Sequence, residues 1–138
     1  MPGVGRTVGE ALIEPHREYA HVMQIVMRIV TIKGMVHVTG GGITDNLPRV
    51  LPDGLGAGVD LSTWPLPPVF AYLQETGGVD PAEMLRTFNC GLGFLVIISP
   101  EEEEKTIDSF RQAMEEPTVI GRVVRDEKGE VSYTGSLI

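Results

Sequence analysis

The chain has 138 residues, 42% hydrophobic and 22% charged, which is the balance of one folded domain and excludes a disordered segment. Nineteen acidic against eleven basic residues give a net charge of −8, leaving no positive field to gather a nucleic-acid backbone or an anionic membrane surface. The single cysteine, Cys90, excludes an intrachain disulfide, and no apolar run has the length of a membrane span or a leader, so the expected compartment is the cytoplasm.

Thr7-Val8-Gly9-Glu10 carries the capping-box pattern of a helix start, and Pro15 interrupts the short helix that follows. Beyond Arg17, the residues Ala20, Met23, Val26, Met27 and Val30 recur at three- and four-residue spacing, which predicts a second helix. Met35-Val36-His37-Val38, between Gly34 and Gly40, predicts a strand. The glycines at 40–42 then lead into a short turn or helix over 43–50 and a strand over 57–61.

Pro67 or Pro68 suits the first turn of a helix bearing Phe70 and Leu73, which Gly77-Gly78 ends. Asp80-Pro81 opens another through Met84 and Leu85, and the apolar run 92–99 has the character of a central strand. Ser99 as N-cap, with Pro100, Glu101 and Glu102, marks the next helix, on which Ile107, Phe110 and Met114 share a face. Residues 119–125 and 130–134, separated by 126–129, read as a terminal hairpin. The order of elements predicts an α/β fold, layered α/β/α, with a mixed β-sheet.

Chemistry concentrates at Thr39-Gly40-Gly41-Gly42-Ile43-Thr44-Asp45-Asn46-Leu47-Pro48-Arg49. Three glycines after a strand let successive N–H groups point at one anion, and Arg49 can hold a phosphate or carboxylate with two parallel bonds. A plain turn is the other reading of the triplet. His37, on the strand entering this loop, faces either a ligand or its neighbours. Arg86 and Asn89, in Arg86-Thr87-Phe88-Asn89-Cys90-Gly91, offer donors or cap a turn. Cys90 has no base nearby in the sequence and reads as a small buried filler. His16 and His21 are five apart, off a common helical ligand pair, and no Cys/His/Glu set has zinc spacing.

The strings Lys33-Gly34-Met35-Val36-His37-Val38-Thr39-Gly40-Gly41-Gly42, Asn46-Leu47-Pro48-Arg49-Val50-Leu51-Pro52 and Arg86-Thr87-Phe88-Asn89-Cys90-Gly91 resemble the aminoimidazole ribonucleotide (AIR) synthetases, also called phosphoribosylformylglycinamidine cyclo-ligases. Gly9-Glu10-Ala11-Leu12 with Glu14-Pro15, Trp64-Pro65 and Val119-Ile120-Gly121 extend the likeness over about residues 7–134. Only the C-terminal half of those enzymes is matched. The resemblance implies that residues 7–138 are an AIR synthetase C-terminal domain and that 1–6 are a linker remnant. It also implies an N-terminal domain as partner, which supplies a nucleotide segment, acidic metal ligands and most of a homodimer contact.

The implied reaction belongs to de novo purine biosynthesis and takes formylglycinamidine ribonucleotide and ATP to aminoimidazole ribonucleotide, ADP and phosphate. ATP and Mg²⁺ are the implied cofactors, and this half is expected to be inactive alone. His37 becomes the catalytic candidate. Thr39, Gly40, Gly41, Gly42, Asn46, Arg49, Arg86 and Asn89 become substrate or nucleotide contacts, with no metal ligand in this half. His16-Arg17 departs from the Thr-Arg expected after Pro15. A stand-alone phosphate-binding module and a structural partner domain are the rival readings.

Overall fold

The structure, a computed structural model, describes residues 5–137; residues 1–4 of the expected linker remnant lie outside the described residues. Helix α1 (Val8–Leu12) starts with both bonds of the capping box. Thr7 Oγ1 accepts from the Glu10 N–H at 3.2 Å, and Glu10 Oε2 accepts from the Thr7 N–H at 2.7 Å. The Thr7 backbone N–H, followed by its hydroxyl, holds the Glu10 carboxyl below its ordinary range. Helix α2 (Ala20–Val26) buries Met23 and Val26, and Val30 is buried in the turns beyond it.

Strand β1 (Ile32–His37) runs antiparallel to β3 (Phe94–Ile98), with Val36 opposite Leu95 and His37 opposite Phe94. The two form a sheet by themselves, so β3 is not the central strand that its apolar run predicts. An unbroken apolar run reports apolar contact on both faces and says nothing of how many strands flank it. Leu95 is buried in the core, while Ile97 on the same side and Val96 on the other are half-buried.

The second sheet is mixed. Strand β2 (Leu55–Asp60) lies between β4 (Gly121–Arg125), antiparallel to it, and β5 (Val131–Thr134), parallel to it. The terminal hairpin therefore does not form: residues 126–130 carry the chain across the end of β2, and the two strands flank it. Missing side chains make this possible. A Cβ on Gly56 would lie 2.4 Å from the Glu130 carbonyl oxygen, and one on Gly121 would lie 1.9 Å from that of Gly58. The Asp126 N–H donates to the Gly54 carbonyl, and Asp126 Oδ2 accepts from the Glu130 N–H, which fixes the crossing at both ends.

Helix α3 (Gly42–Asn46) runs on into a tight turn at Leu47–Val50. Helix α4 (Pro68–Gly77) stops at Gly78, which has φ +58°, and α5 (Pro81–Thr87) opens with Asp80 Oδ1 accepting from the Ala82 N–H. Before α6 (Glu103–Gln112), the Ser99 side chain makes no capping bond; its carbonyl accepts from the Glu102 N–H in a tighter turn. Ile107 and Phe110 are half-buried, but Met114 lies past the helix end at φ +63° and is 90% exposed, so it leaves the expected face. Thr106 and Ser109 are buried because their hydroxyls donate one turn back, to the Glu102 and Lys105 carbonyls.

One core joins Val36 and Val38 of the β1 segment, Ile43 of α3, Val59 of β2, and Met84 and Leu85 of α5. It anchors the exit of β1 and the start of α3, which frame the glycine loop. Among the described residues, no helix is long and apolar enough to cross a membrane. Gly121→Ala is expected to cost about 1–3 kcal/mol by driving β4 off β2, read as a lower urea midpoint at unchanged slope. An unchanged midpoint would contradict the close strand approach.

Candidate functional site

The glycine loop is built by one side chain. Asn46 is buried, and its Nδ2 donates to three carbonyls of the turn: Thr39 at 3.3 Å, Gly40 at 3.2 Å and Gly42 at 2.8 Å. Its Oδ1 accepts from Arg49 Nη1 at 3.4 Å, so the guanidinium, itself exposed, is held beside the turn. The Gly42 N–H donates to the Thr39 carbonyl, which removes one of the three N–H groups expected to meet an anion. Those of Gly40 and Gly41 carry no hydrogen bond from within the described residues.

The three glycines have different reasons. A Cβ on Gly42 would stand 1.9 Å from the Leu85 carbonyl oxygen, so this glycine lets α3 close on the end of α5. Gly41 has φ +103°, a conformation that L side chains rarely adopt. Gly40 has open space where a Cβ would go.

Beside the loop lies a cleft of about 290 Å³, lined by His37, Val38 and Thr39 from the β1 segment, Thr87, Phe88 and Asn89 from the end of α5, Phe70 of α4, and His16. His37 is exposed and its Nε2 lies 2.7 Å from that of His16. The two rings meet edge to edge, with centroids 5.0 Å apart and planes 27° from parallel, and the Tyr19 ring lies edge-on to both at 5.7 and 5.9 Å. Gly93 makes room for Tyr19, since a Cβ there would lie 2.0 Å from the phenol oxygen. Burial pushes the Tyr19 phenol above its ordinary range.

Asn89 divides its work: Oδ1 accepts from the Gly91 N–H in a local turn, while the amide nitrogen has no partner among the described residues. Cys90, at φ +47°, is fully buried with Sγ 3.5 Å from the Met84 carbonyl, and burial raises its thiol to about 11. The Trp64 indole N–H donates to its carbonyl at 3.0 Å. Cys90 is therefore core.

The structure brings together His37, Thr39 and Asn89 in one cleft, with Gly40, Gly41, Asn46 and Arg49 in the adjoining loop. Arg86 stands apart. Its Nε lies 3.8 Å from Asp45 Oδ1, and it lines a separate groove of about 410 Å³ with Thr44, Tyr133, Asp80, Ala82 and Glu83. Thr44 Oγ1 and the Tyr133 hydroxyl lie 2.8 Å apart there, and burial, more than any charge, raises that phenol. Sequence reasoning missed His16 as a cleft residue, because its place depends on how residues 13–19 fold back on β1.

Residues 3–134 match the family described as AIR synthase related protein, C-terminal domain. The chain belongs to that family. It is 43% identical over 128 residues to a phosphoribosylformylglycinamidine cyclo-ligase of Alkaliphilus metalliredigens (strain QYMF), a match that covers 93% of the chain and 37% of that protein. The chain thus spans little more than a third of this relative. Two crystal structures of E. coli HypE, one described as a hydrogenase maturation protein, share the fold with TM-scores of 0.64 and 0.65 at 20% and 18% identity. They cover 85% and 93% of the chain, and the chain covers 35% and 41% of theirs.

In this member of the family, Gly42→Ala is expected to cost at least about 2 kcal/mol, from overpacking against Leu85 and a positive φ. Gly40→Ala is expected to stay within about 0.5 kcal/mol. Urea denaturation of both variants checks this, and equal losses would contradict the separate roles. At about pH 8 the Cys90 thiol is expected to resist alkylation in the folded chain and to react once denaturant opens it; rapid labelling of the native chain would contradict its burial.

Proposed function

We propose that this chain forms one wall of the active site of an ATP-dependent phosphoribosylformylglycinamidine cyclo-ligase of purine biosynthesis. In this reading residues 7–138 are the C-terminal domain. It works with an N-terminal nucleotide-binding domain, within a homodimer in the cytoplasm. The reading is carried by the 43% identity to a named cyclo-ligase across nearly the whole chain, together with a glycine loop opening beside an imidazole-lined cleft.

In the proposed reaction the formyl oxygen of the ribonucleotide is phosphorylated by ATP. The substrate's amidine nitrogen then attacks that carbon, closes the imidazole ring and expels phosphate. No protein nucleophile is required, so the work of the residues is positioning and charge stabilisation. The free N–H groups of Gly40 and Gly41 and the Arg49 guanidinium suit phosphate oxygens. His37, Thr39 and the amide nitrogen of Asn89 offer polar contacts for the substrate along the cleft. Among the described residues, no three His, Cys, Asp or Glu side chains gather into a group that could hold a metal ion, and in this reading this half supplies none of the Mg²⁺ ligands. They are assigned to the N-terminal domain.

The test is a chimera of this chain with the part of the Alkaliphilus relative that it does not match. Turnover of ATP and formylglycinamidine ribonucleotide is expected. Arg49→Ala is expected to lower kcat/KM roughly 10- to 100-fold, the loss of one charged hydrogen-bonding group. A folded chimera without turnover overturns the reading; if the chain alone binds ATP tightly, it is a phosphate-binding module instead. Unchanged kcat/KM in the Arg49 variant removes the loop from the site.

A further inference from the structure

Two imidazole nitrogens 2.7 Å apart can form a hydrogen bond only if one carries a proton and the other does not. The contact between His16 and His37 joins Nε2 to Nε2, so for neutral rings their tautomers must be opposite. The ring that donates through Nε2 keeps a bare Nδ1. The ring that accepts must carry its proton on Nδ1. An imidazole with no such partner is under no constraint of this kind, and His21, on α2 and outside the cleft, has no side-chain partner among the described residues.

The contact is supported from several sides. Tyr19 packs edge-on against both rings, and Phe94, the cross-strand neighbour of His37, lies with its ring 6.2 Å away. Arg17, next to His16, pairs with Glu115 beyond the end of α6, and Arg6 pairs with Glu14. The segment bearing His16 is thereby tied, just after that residue, to the chain beyond α6. Both rings line the cleft, so the tautomer of each decides what its remaining nitrogen offers a ligand there.

We propose that His16 is a positioning residue for His37, the two forming a complementary-tautomer pair in which proton placement on one ring fixes proton placement on the other. The proposal rests on the cyclo-ligase reading for its catalytic consequence, and its physical content is tested apart from turnover. In ¹⁵N-labelled chain at about pH 8, ring-nitrogen spectra are expected to show opposite tautomers for His16 and His37. A proton shared between the two Nε2 atoms should accompany them. His16→Ala should abolish that proton and shift the His37 ring nitrogens, His16→Gln should restore them, and His21 should not move. Identical tautomers for His16 and His37, or unmoved His37 nitrogens in His16→Ala, would overturn the proposal.

In the chimera, His16→Ala is expected to lower kcat about tenfold or more with little change in KM, and His16→Gln to recover most of it. An active chimera indifferent to His16→Ala overturns the positioning role. A chimera inactive with His16 intact overturns the cyclo-ligase reading and leaves the spectra to judge the pair.

Discussion

The side-chain amide of Asn46 is shared among the carbonyls of Thr39, Gly40 and Gly42, and the shape of the glycine loop follows from that sharing. A buried amide is tolerated because its donors are used and its oxygen accepts from Arg49. The same group links the exit of β1, the left-handed turn at Gly41 and the start of α3. With the carbonyls turned toward Asn46, the N–H groups of Gly40 and Gly41 are left without a hydrogen bond among the described residues, while that of Gly42 closes the turn. The loop is shaped by its carbonyls, and the phosphate contacts proposed for it use what that shaping leaves over.

A second constraint sets the width of the cleft. Gly42 lets α3 sit against the Leu85 carbonyl at a distance that no Cβ would permit, so the end of α5 is held at a fixed place relative to the loop. His37 and Thr39 form one rim and Thr87, Phe88 and Asn89 the other. Beyond Asn89, the Gly91 N–H, the Cys90 carbonyl and the Trp64 indole tie the second rim into the core. Both rims thus rest on packed elements, as the positioning role proposed for the site requires.

Much of this was legible locally. Capping signals name their own partners within three residues, so the starts at Thr7 and Asp80 and the stop at Gly78 could be read directly. The glycine loop, Asn46 and Arg49 stood out as a constellation, though not the bond that spends the Gly42 N–H. What escaped was non-local. A hairpin at the C-terminus is the shortest connection between two strands, and only the close approaches at Gly56 and Gly121 reveal that β2 lies between them. The grouping of Arg86 with Asn89 failed because α5 points Arg86 to the Tyr133 groove while the turn after it returns Asn89 to the cleft. The pairing of His16 with His37 was not legible in sequence, because the two are 21 residues apart across a fold-back.

In the proposed reading, the loop supplies anion donors at Gly40, Gly41 and Arg49, and the adjoining cleft supplies the imidazoles. The most direct measurement is a titration of the ¹⁵N-labelled chain with ATP, followed through backbone amide shifts. The amides of Gly40 and Gly41 are expected to move most and to saturate, with Gly42 nearly still. Saturating shifts confined to the Arg86 and Tyr133 groove, or none at the loop, would contradict the account.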